Sequence, residues 1–289
     1  MKRFIFLFLA ALSILTLSAC GAGIELPFRS EMKTGPTRSE SIRIPMPTGE
    51  TPVDVTLSFG AGKLIILPNP GNDFISGTAT FNVEDFKPAI TTENQDILIK
   101  QGNLKLNAVP KINQKIKNEW SLAFSSYPMD LTIKSGAYTG KYEFGGLAIT
   151  DLHIADGASN VNLSFSTPNP SRMHAFRYET GASNITMEKL GNANFQTMLF
   201  ESGAGNYHLD FSGSIQQDTS IFIETGLSRL KITVPQGTPA VAQFEGPLSK
   251  VSGKGNWQQM GDEFLQAGDG PKLNFTIQTK AGTVILQNP

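Results

Sequence analysis

Apolar and polar residues alternate on both sides of a recurring glycine through the middle of the chain. In one such unit, Phe176 and Tyr178 precede Gly181, and Ile185 and Met187 follow it. Side chains two residues apart on a strand lie on one face, so each unit predicts two half-buried strands. A residue without Cβ accepts a positive φ or a close backbone approach at little cost, and the glycine therefore predicts a corner between the strands.

The unit recurs with its glycines spaced 21 to 24 residues apart, at Gly136, Gly157, Gly181, Gly203 and Gly226. A period this short indicates one supersecondary unit stacked on its neighbours, not a domain. Two strands and a corner leave no room for a helix. The pattern therefore predicts an all-β solenoid with coils of about 22 residues.

The same frame extends beyond these five glycines. Gly60 fits it with Leu57 before and Leu64 after, and the last unit fits if Lys280 takes the glycine position. We predict regular repeats over 131–235, an irregular N-terminal part over 39–130 and further coils over 236–289. The gap between Gly226 and Lys280 has room for two loose coils, and the sequence VAQFEGPLSKVSG resembles one of them.

The N-terminus has the features of an export signal. Lys2 and Arg3 precede an apolar run that is too short to span a membrane. The only cysteine, Cys20, directly follows Leu-Ser-Ala, which resembles the bacterial lipobox. That resemblance implies a signal peptide over 1–19, an acylated Cys20 and a lipidated tether over 20–38. Residue 21 is Gly and not Asp, which under the sorting rule of Gram-negative lipoproteins favours the outer membrane.

Composition narrows the candidate functions. Charged residues make up 17% of the chain, fewer than the quarter typical of soluble proteins, as expected for continuous β-structure around a packed interior. The net charge is −1, and no basic patch indicates binding to nucleic acid. A single cysteine excludes an internal disulfide. No sequence fingerprint of a nucleotide, metal or cofactor site is present.

Several phrases resemble the bacterial toast-rack family of LiaF-like cell-envelope domains, which are related to adhesin-like domains. They are LSFGAGKLIIL, the NEW at 118–120, DGASNVNLSF, TGASNITMEKLGNANF, ESGAGNYHLDFSG and GLSRLKITVP. The resemblance covers nearly everything from residue 40 onward. It implies a single-stranded, right-handed β-helix-like solenoid at the cell envelope, linked to cell-wall stress and without catalytic residues. A lipid anchor in place of membrane helices departs from the LiaF-like arrangement.

The repeat predicts three rows of stacked side chains. The first row lies three residues after the glycine and comprises Asn160, Asn184 and Asn206. It is predicted to be a hydrogen-bonded asparagine ladder, and the alternative is a polar recognition stripe. Two residues before the glycine, a row of carboxylates is predicted either to be a solvated acidic surface or to bind a divalent cation such as Ca²⁺; it comprises Glu179, Glu201 and Glu224. On the same face, Leu199 and Phe222 form either a partner surface or a patch covered by another segment.

Catalytic signals are few. His208 and Asp210 share one strand face, but no third residue has a spacing typical of zinc ligands. Among β-helix proteins, polysaccharide lyases and hydrolases need clustered acids, and the glutamate row is the only such cluster in the pattern. We therefore predict a non-catalytic, lipid-anchored envelope protein without a cofactor, which binds an envelope polymer or protein. The alternative is a carbohydrate-active β-helix enzyme, favoured by a deep groove with a basic residue beside the acids.

Overall fold

The computed structural model describes residues 34–49, 51–69, 71–102, 116–246 and 249–289. The predicted signal peptide, Cys20 and most of the tether lie outside these residues. The described strands form one sheet; they are β1 (Arg38–Pro45), β2 (Val53–Pro68), β3 (Asp73–Phe81), β4 (Pro88–Glu93), β5 (Asp96–Gln101), β6 (Asn118–Phe124), β7 (Met129–Glu143), β8 (Ile149–Ser164), β9 (Met173–Glu188), β10 (Phe195–Asp210), β11 (Thr219–Thr233), β12 (Ala240–Glu245), β13 (Ser249–Gly253), β14 (Gln258–Met260), β15 (Glu263–Gln266) and β16 (Leu273–Gln287).

The predicted all-β solenoid is confirmed. The long strands β2, β7, β8, β9, β10, β11 and β16 stack in that order, each parallel to the next. Their alternate residues are buried, as in β9, where Phe176, Tyr178, Ile185 and Met187 are at most 2% exposed. Parallel strands buried on one side in this way enclose a continuous apolar core.

Each coil contains one continuous long strand and not the two separate strands that the pattern predicts. The glycine lies within this strand, and the ladder continues on both sides of it. We call the part before the glycine the first limb and the part after it the second limb. The backbone pairing continues because neighbouring coils bend at the same residue, so the strands stay parallel through the bend.

Close approach, and not a positive φ, requires glycine at this position. A Cβ added at Gly181 would lie 2.4 Å from the carbonyl oxygen of Gly157, and one at Gly203 would lie 2.5 Å from that of Gly181. The positive φ occurs two residues later, where Gly205 has a φ of 154°. The corner glycines therefore allow the backbones of successive coils to stack directly on one another.

The order of coils at the C-terminal end differs from the order in the sequence. Strand β16 pairs directly with β11, and Lys280 lies opposite Gly226, as the frame predicts. The loose coils between them do not lie between β11 and β16. Strand β12 pairs with the first limb of β16 and β13 with its second limb, on the side away from β11. The segment resembling a coil is therefore an end coil, added beyond the last strand of the chain.

The N-terminal end is built in the same way. Strand β5 pairs with the first limb of β2 and β6 with its second limb, on the side away from β7. Antiparallel strands extend the sheet beyond these end coils. At the N-terminal end, β3 pairs with β6 and β1 with β3, while β4 pairs with β5. At the C-terminal end, β15 pairs with β12 and β14 with β15. These strands cover the ends of the parallel stack, where unpaired backbone groups would otherwise face solvent.

Candidate functional site

The three predicted glutamates lie directly opposite one another on neighbouring strands. Glu201 pairs with Glu179 on one side and with Glu224 on the other. The row continues to Gln278 on β16 and to Glu245 on β12. These side chains lie on the outward face of the first limbs because they alternate with the buried residues of the same strands.

Basic side chains lie beside Glu179 and Glu224, which flank Glu201. Arg177 Nη1 lies 3.6 Å from Glu179 Oε1, and His153 Nε2 lies 3.3 Å from the same oxygen. Lys280 Nζ lies 3.8 Å from Glu224 Oε1. Glu201, between them, makes no ion pair with any residue in the described part of the chain. The middle of the row therefore retains an uncompensated negative charge.

The predicted apolar pair lies beside the acids. Leu199 and Phe222 are directly opposite each other, and Phe222 is 44% exposed. The described residues of the irregular segment after β11 do not cover this side chain. On its other side, Leu199 is opposite Arg177. The cross-strand row formed by Arg177, Leu199 and Phe222 therefore changes from cationic to apolar between β9 and β10.

Two cavities adjoin along this face. One, of about 390 Å³, is lined by Ala155, Asp156, Glu179, Thr180, Glu201, Ser202 and Glu224. The other, of about 210 Å³, is lined by Leu199, Glu201, Phe222, Ile223, Glu224, Thr276 and Gln278. Glu201 and Glu224 line both cavities. We call the combined depression the first-limb groove; it joins an acidic part to an apolar part.

The predicted asparagine ladder lies on the outward face of the second limbs. Asn184 pairs with Asn160 and Asn206, and Asn206 Nδ2 donates a 3.0 Å hydrogen bond to Asn184 Oδ1. All three side chains are exposed. This hydrogen bond joins two of the three amides along the stack, which fits a structural role for that part of the row.

A largely buried polar column, which the repeat pattern did not predict, runs along the inside of the corner. It occupies the positions one before and two after the glycine. Thr180 and Ser183 are hydrogen-bonded to each other at 2.6 Å, and Ser228 donates to Thr225 at 2.8 Å. The recurring Ser, Thr or Asp before the glycine and Ser after it would have been the signal.

Asp156 is the charged member of this column. Its carboxylate accepts hydrogen bonds from Tyr178 Oη at 2.8 Å, Tyr138 Oη at 3.2 Å, Ser159 Oγ at 3.0 Å and also from Thr180 Oγ1. Burial raises the pKa of Tyr178 well above its usual value, and the Asp156 carboxylate raises it further. The phenol therefore stays protonated and remains a donor at physiological pH.

A second row of carboxylates, also absent from the sequence predictions, lies further along the outward face of the first limbs. Asp54 is opposite Asp130 on one side and Asp96 on the other, and Asp130 is opposite Asp151. Desolvation, followed by the charges of Asp130 and Asp96, raises the pKa of Asp54. Together with the glutamates, this row makes the first-limb face predominantly acidic.

The histidines do not assemble a metal site. His208 Nε2 lies 3.0 Å from Thr233 Oγ1, and burial together with the charge of Lys231 lowers its pKa. His174 Nδ1 lies 3.1 Å from Asp151 Oδ2. Among the described residues, no group of three or more His, Cys, Asp or Glu side chains has a geometry that could hold a metal ion.

Residues 33–188 match the family described as the N-terminal domain of toast_rack, DUF2154, and because this is more than half of the chain, the protein belongs to that family. No curated protein matches the chain. The family assignment rests on the sequence match.

Solved structures resemble this chain only at low sequence identity. A protein from Clostridium sporogenes, provisionally described as a cell adhesion protein, is 17% identical, with a TM-score of 0.49 over 88% of this chain and 100% of the other. A provisional lipid binding protein from Parabacteroides distasonis is 8% identical, with a TM-score of 0.39 over 89% of this chain and 99% of the other.

Proposed function

We propose that the protein is a non-catalytic, lipid-anchored component of the bacterial envelope with a binding, scaffold or adhesion role. A part in sensing cell-wall stress belongs to the same proposal. The observation that carries it is the outer face of the first limbs, where in-register strands present rows of polar and apolar side chains and a groove. Such a surface suits recognition of an extended envelope polymer or protein, since its rows repeat at the strand spacing of about 4.8 Å.

The proposed anchor is the acylated Cys20, with the protein facing away from the cytoplasm, on the outer membrane if the cell is Gram-negative. Within the residues that the structure describes, no helix has the length and apolar character needed to cross a membrane. Acyl chains at a mature N-terminal cysteine would give stable attachment, because several chains together anchor far more firmly than one.

Fractionation of cells expressing wild type or Cys20→Ser tests the anchor. Wild type is expected in the membrane fraction after a high-salt wash and should incorporate labelled palmitate. Cys20→Ser should incorporate none and be released or remain unprocessed. A Ser18→Ala variant serves as the control and should behave as wild type. Retention of Cys20→Ser in washed membranes would refute the lipid anchor.

The binding role is tested separately. Purified protein is incubated with isolated peptidoglycan sacculi and, in parallel, with solubilised envelope proteins after crosslinking. Specific co-sedimentation or a discrete crosslinked partner supports the role, particularly if it disappears in a variant with a disrupted first-limb groove. Absence of both in envelope from the native host would contradict it.

A carbohydrate-active enzyme is the second candidate, because Arg177 lies beside Glu179 at the edge of a cavity of about 390 Å³. Hydrolase chemistry needs two carboxylates flanking the scissile bond, and lyase chemistry needs clustered acids together with a basic residue. Incubation with neutral and uronate-containing polysaccharides, followed by assays for reducing ends and unsaturated products, tests this function. Turnover that Glu201→Gln or Arg177→Met abolishes would favour the enzyme.

A further inference from the structure

The first-limb groove has an exposed apolar centre. Leu199 and Phe222 form one wall of the smaller cavity, and Phe222 keeps 44% of its surface exposed although it lies mid-strand. The outward neighbours of this pair along their own strands are Glu201 and Glu224 toward the corner and Thr197 and Ser220 on the other side. A mid-sheet aromatic side chain that no other described segment covers is a candidate contact for a partner.

The charge around this pair specifies the kind of partner. Carboxylates recur in the outward positions of the first limbs and their end coils, at Asp54, Asp96, Asp130, Asp151, Glu179, Glu201, Glu224 and Glu245. The Lys and Arg side chains beside these carboxylates are fewer, at Lys100, Lys134, Arg177 and Lys280. A partner that supplies positive charge would relieve the repulsion between adjacent carboxylates.

The dimensions fit an extended chain. Along a strand, outward side chains recur at every second residue, about 6.6 Å apart, and alternate side chains of an extended peptide have the same spacing. A peptide lying along β10 and β11 would therefore place one apolar side chain against Leu199 and Phe222. Basic side chains within two residues of it would reach Glu201 and Glu224, the carboxylates shared by both cavities.

We propose that the first-limb groove docks an extended basic segment of another envelope protein, with one apolar side chain flanked by Lys or Arg. The proposal rests on the binding role argued above and adds the chemical class of the partner. Leu199 and Phe222 contact the apolar side chain. Glu201, which has no ion pair within the described residues, binds one cation of the segment, and Glu224 binds a second in exchange for its exposed 3.8 Å contact with Lys280.

Fluorescence anisotropy with the full-length protein in detergent tests the docking. The probe is a labelled peptide, Gly-Lys-Arg-Leu-Lys-Arg-Gly. Two matched peptides accompany it, one with Gly in place of Leu and one with Glu in place of each basic residue. The Leu peptide is expected to bind at least fivefold more tightly than the Gly peptide, and the Glu peptide should not bind. Equal affinity of the Leu and Gly peptides would reduce the interaction to non-specific charge attraction and overturn the proposal.

Matched variants locate the binding. Phe222→Ser should lower the affinity for the Leu peptide at least fivefold and leave the affinity for the Gly peptide unchanged. Glu201→Gln should lower the affinity for both peptides and reduce the dependence of that affinity on salt. Leu227→Ser, at an apolar residue that is 67% exposed at the corner, and Glu188→Gln, at the end of β9, are controls expected to bind as wild type.

Three results would overturn the proposal: wild-type affinity in both groove variants, equal losses in the control variants, or association in sedimentation velocity only between copies of this chain. The assay measures neither acylation of Cys20 nor attachment to the envelope. Failure of peptide binding with intact membrane attachment and envelope binding would therefore reject this partner class and leave the proposed function standing.

Discussion

The phenol of Tyr178 donates a 2.8 Å hydrogen bond to the carboxylate of Asp156 on the preceding strand. Tyr138, on the strand before that, donates to the same carboxylate. One side chain thus connects three consecutive coils inside the corner. A half-buried carboxylate of this kind is favourable only while its donors remain in place, since removing a charge from water without hydrogen bonds is costly.

Asp156→Asn should destabilise the protein by about 2–3 kcal/mol, because the amide replaces one acceptor oxygen with a donor that faces the same hydroxyl groups. Tyr178→Phe should cost about 1–1.5 kcal/mol. In the double variant the losses should not add, because the two residues share one interaction. Urea unfolding of the four proteins measures the coupling; additive losses would mean that the pair acts independently.

The corner glycines make a prediction that depends on close backbone approach. Gly181→Ala places a methyl group 2.4 Å from the Gly157 carbonyl oxygen, and the strand ladder prevents that oxygen from retreating. We expect a loss of about 2 kcal/mol or more, as for overpacking elsewhere. Gly157→Ala is the matched control because its added carbon would be 3.1 Å from the Gly136 oxygen. Thermal melting should rank Gly181→Ala below Gly157→Ala; equal melting temperatures would contradict the stacking argument.

The repeat frame was sufficient to predict the solenoid and to place Glu179, Glu201 and Glu224 on one face. Both features depend only on local sequence, because alternate residues of each strand are buried and the glycine has a fixed position in every repeat. The frame did not predict that β16 pairs with β11 before β12, because that choice depends on contacts between segments distant in sequence. It also missed Asp156, since a polar residue at an inward position is explained only by its partners on neighbouring coils.

The role of the glycine itself was predicted incompletely. The sequence indicated a corner but could not distinguish a positive φ from close approach, because both require a residue without Cβ. At Gly181 the cause is the carbonyl of the preceding coil, whereas at Gly205 the φ is 154°. The carboxylate row around Asp54 was likewise hidden, because Asp96 reaches it from an end coil whose register the repeat does not set.

The loop after β7 should lose stability in acid. Burial alone would raise the pKa of Glu143, but hydrogen bonds from Ser164 Oγ and the backbone N–H groups of Ser166 and Gly145 outweigh it, and the pKa is lowered. A lowered carboxyl pKa contributes stability above the usual value of 4.5, which is lost as the pH falls through the folded-state pKa. Glu143→Gln should cost about 1 kcal/mol at pH 7 and nothing once both states are protonated. Chemical unfolding of wild type and Glu143→Gln at pH 7 and pH 3 measures the loss of stability at each pH. A loss of the same size at both pH values would mean that the charge of Glu143 does not contribute to stability.

The glutamate row should be a source of mild repulsion. Replacing its middle member, Glu201→Gln, removes two like-charge contacts and should stabilise the fold by about 0.5 kcal/mol. Glu188→Gln, outside the row, should have no comparable effect. Millimolar Ca²⁺ should leave the melting temperature of wild type unchanged. Stabilisation by Ca²⁺ that disappears in Glu201→Gln would instead identify a cation site.

The Asp54 cluster makes the opposite pH prediction from Glu143. Desolvation and the charges of Asp130 and Asp96 raise the pKa of Asp54 above its usual 3.8, so the folded state holds that proton more tightly than the unfolded chain. As the pH rises from 3.8 through the raised folded-state pKa, stability is therefore lost, and the penalty stays constant above it. Asp54→Asn removes the titration and should be more stable than wild type at pH 7, with the advantage declining to zero below the usual pKa. Asp262→Asn, an exposed carboxyl between β14 and β15, is the control and should show no such trend. Unfolding free energies at several pH values between 3 and 7 decide the case: an Asp54→Asn profile parallel to wild type would mean that the three aspartates do not interact.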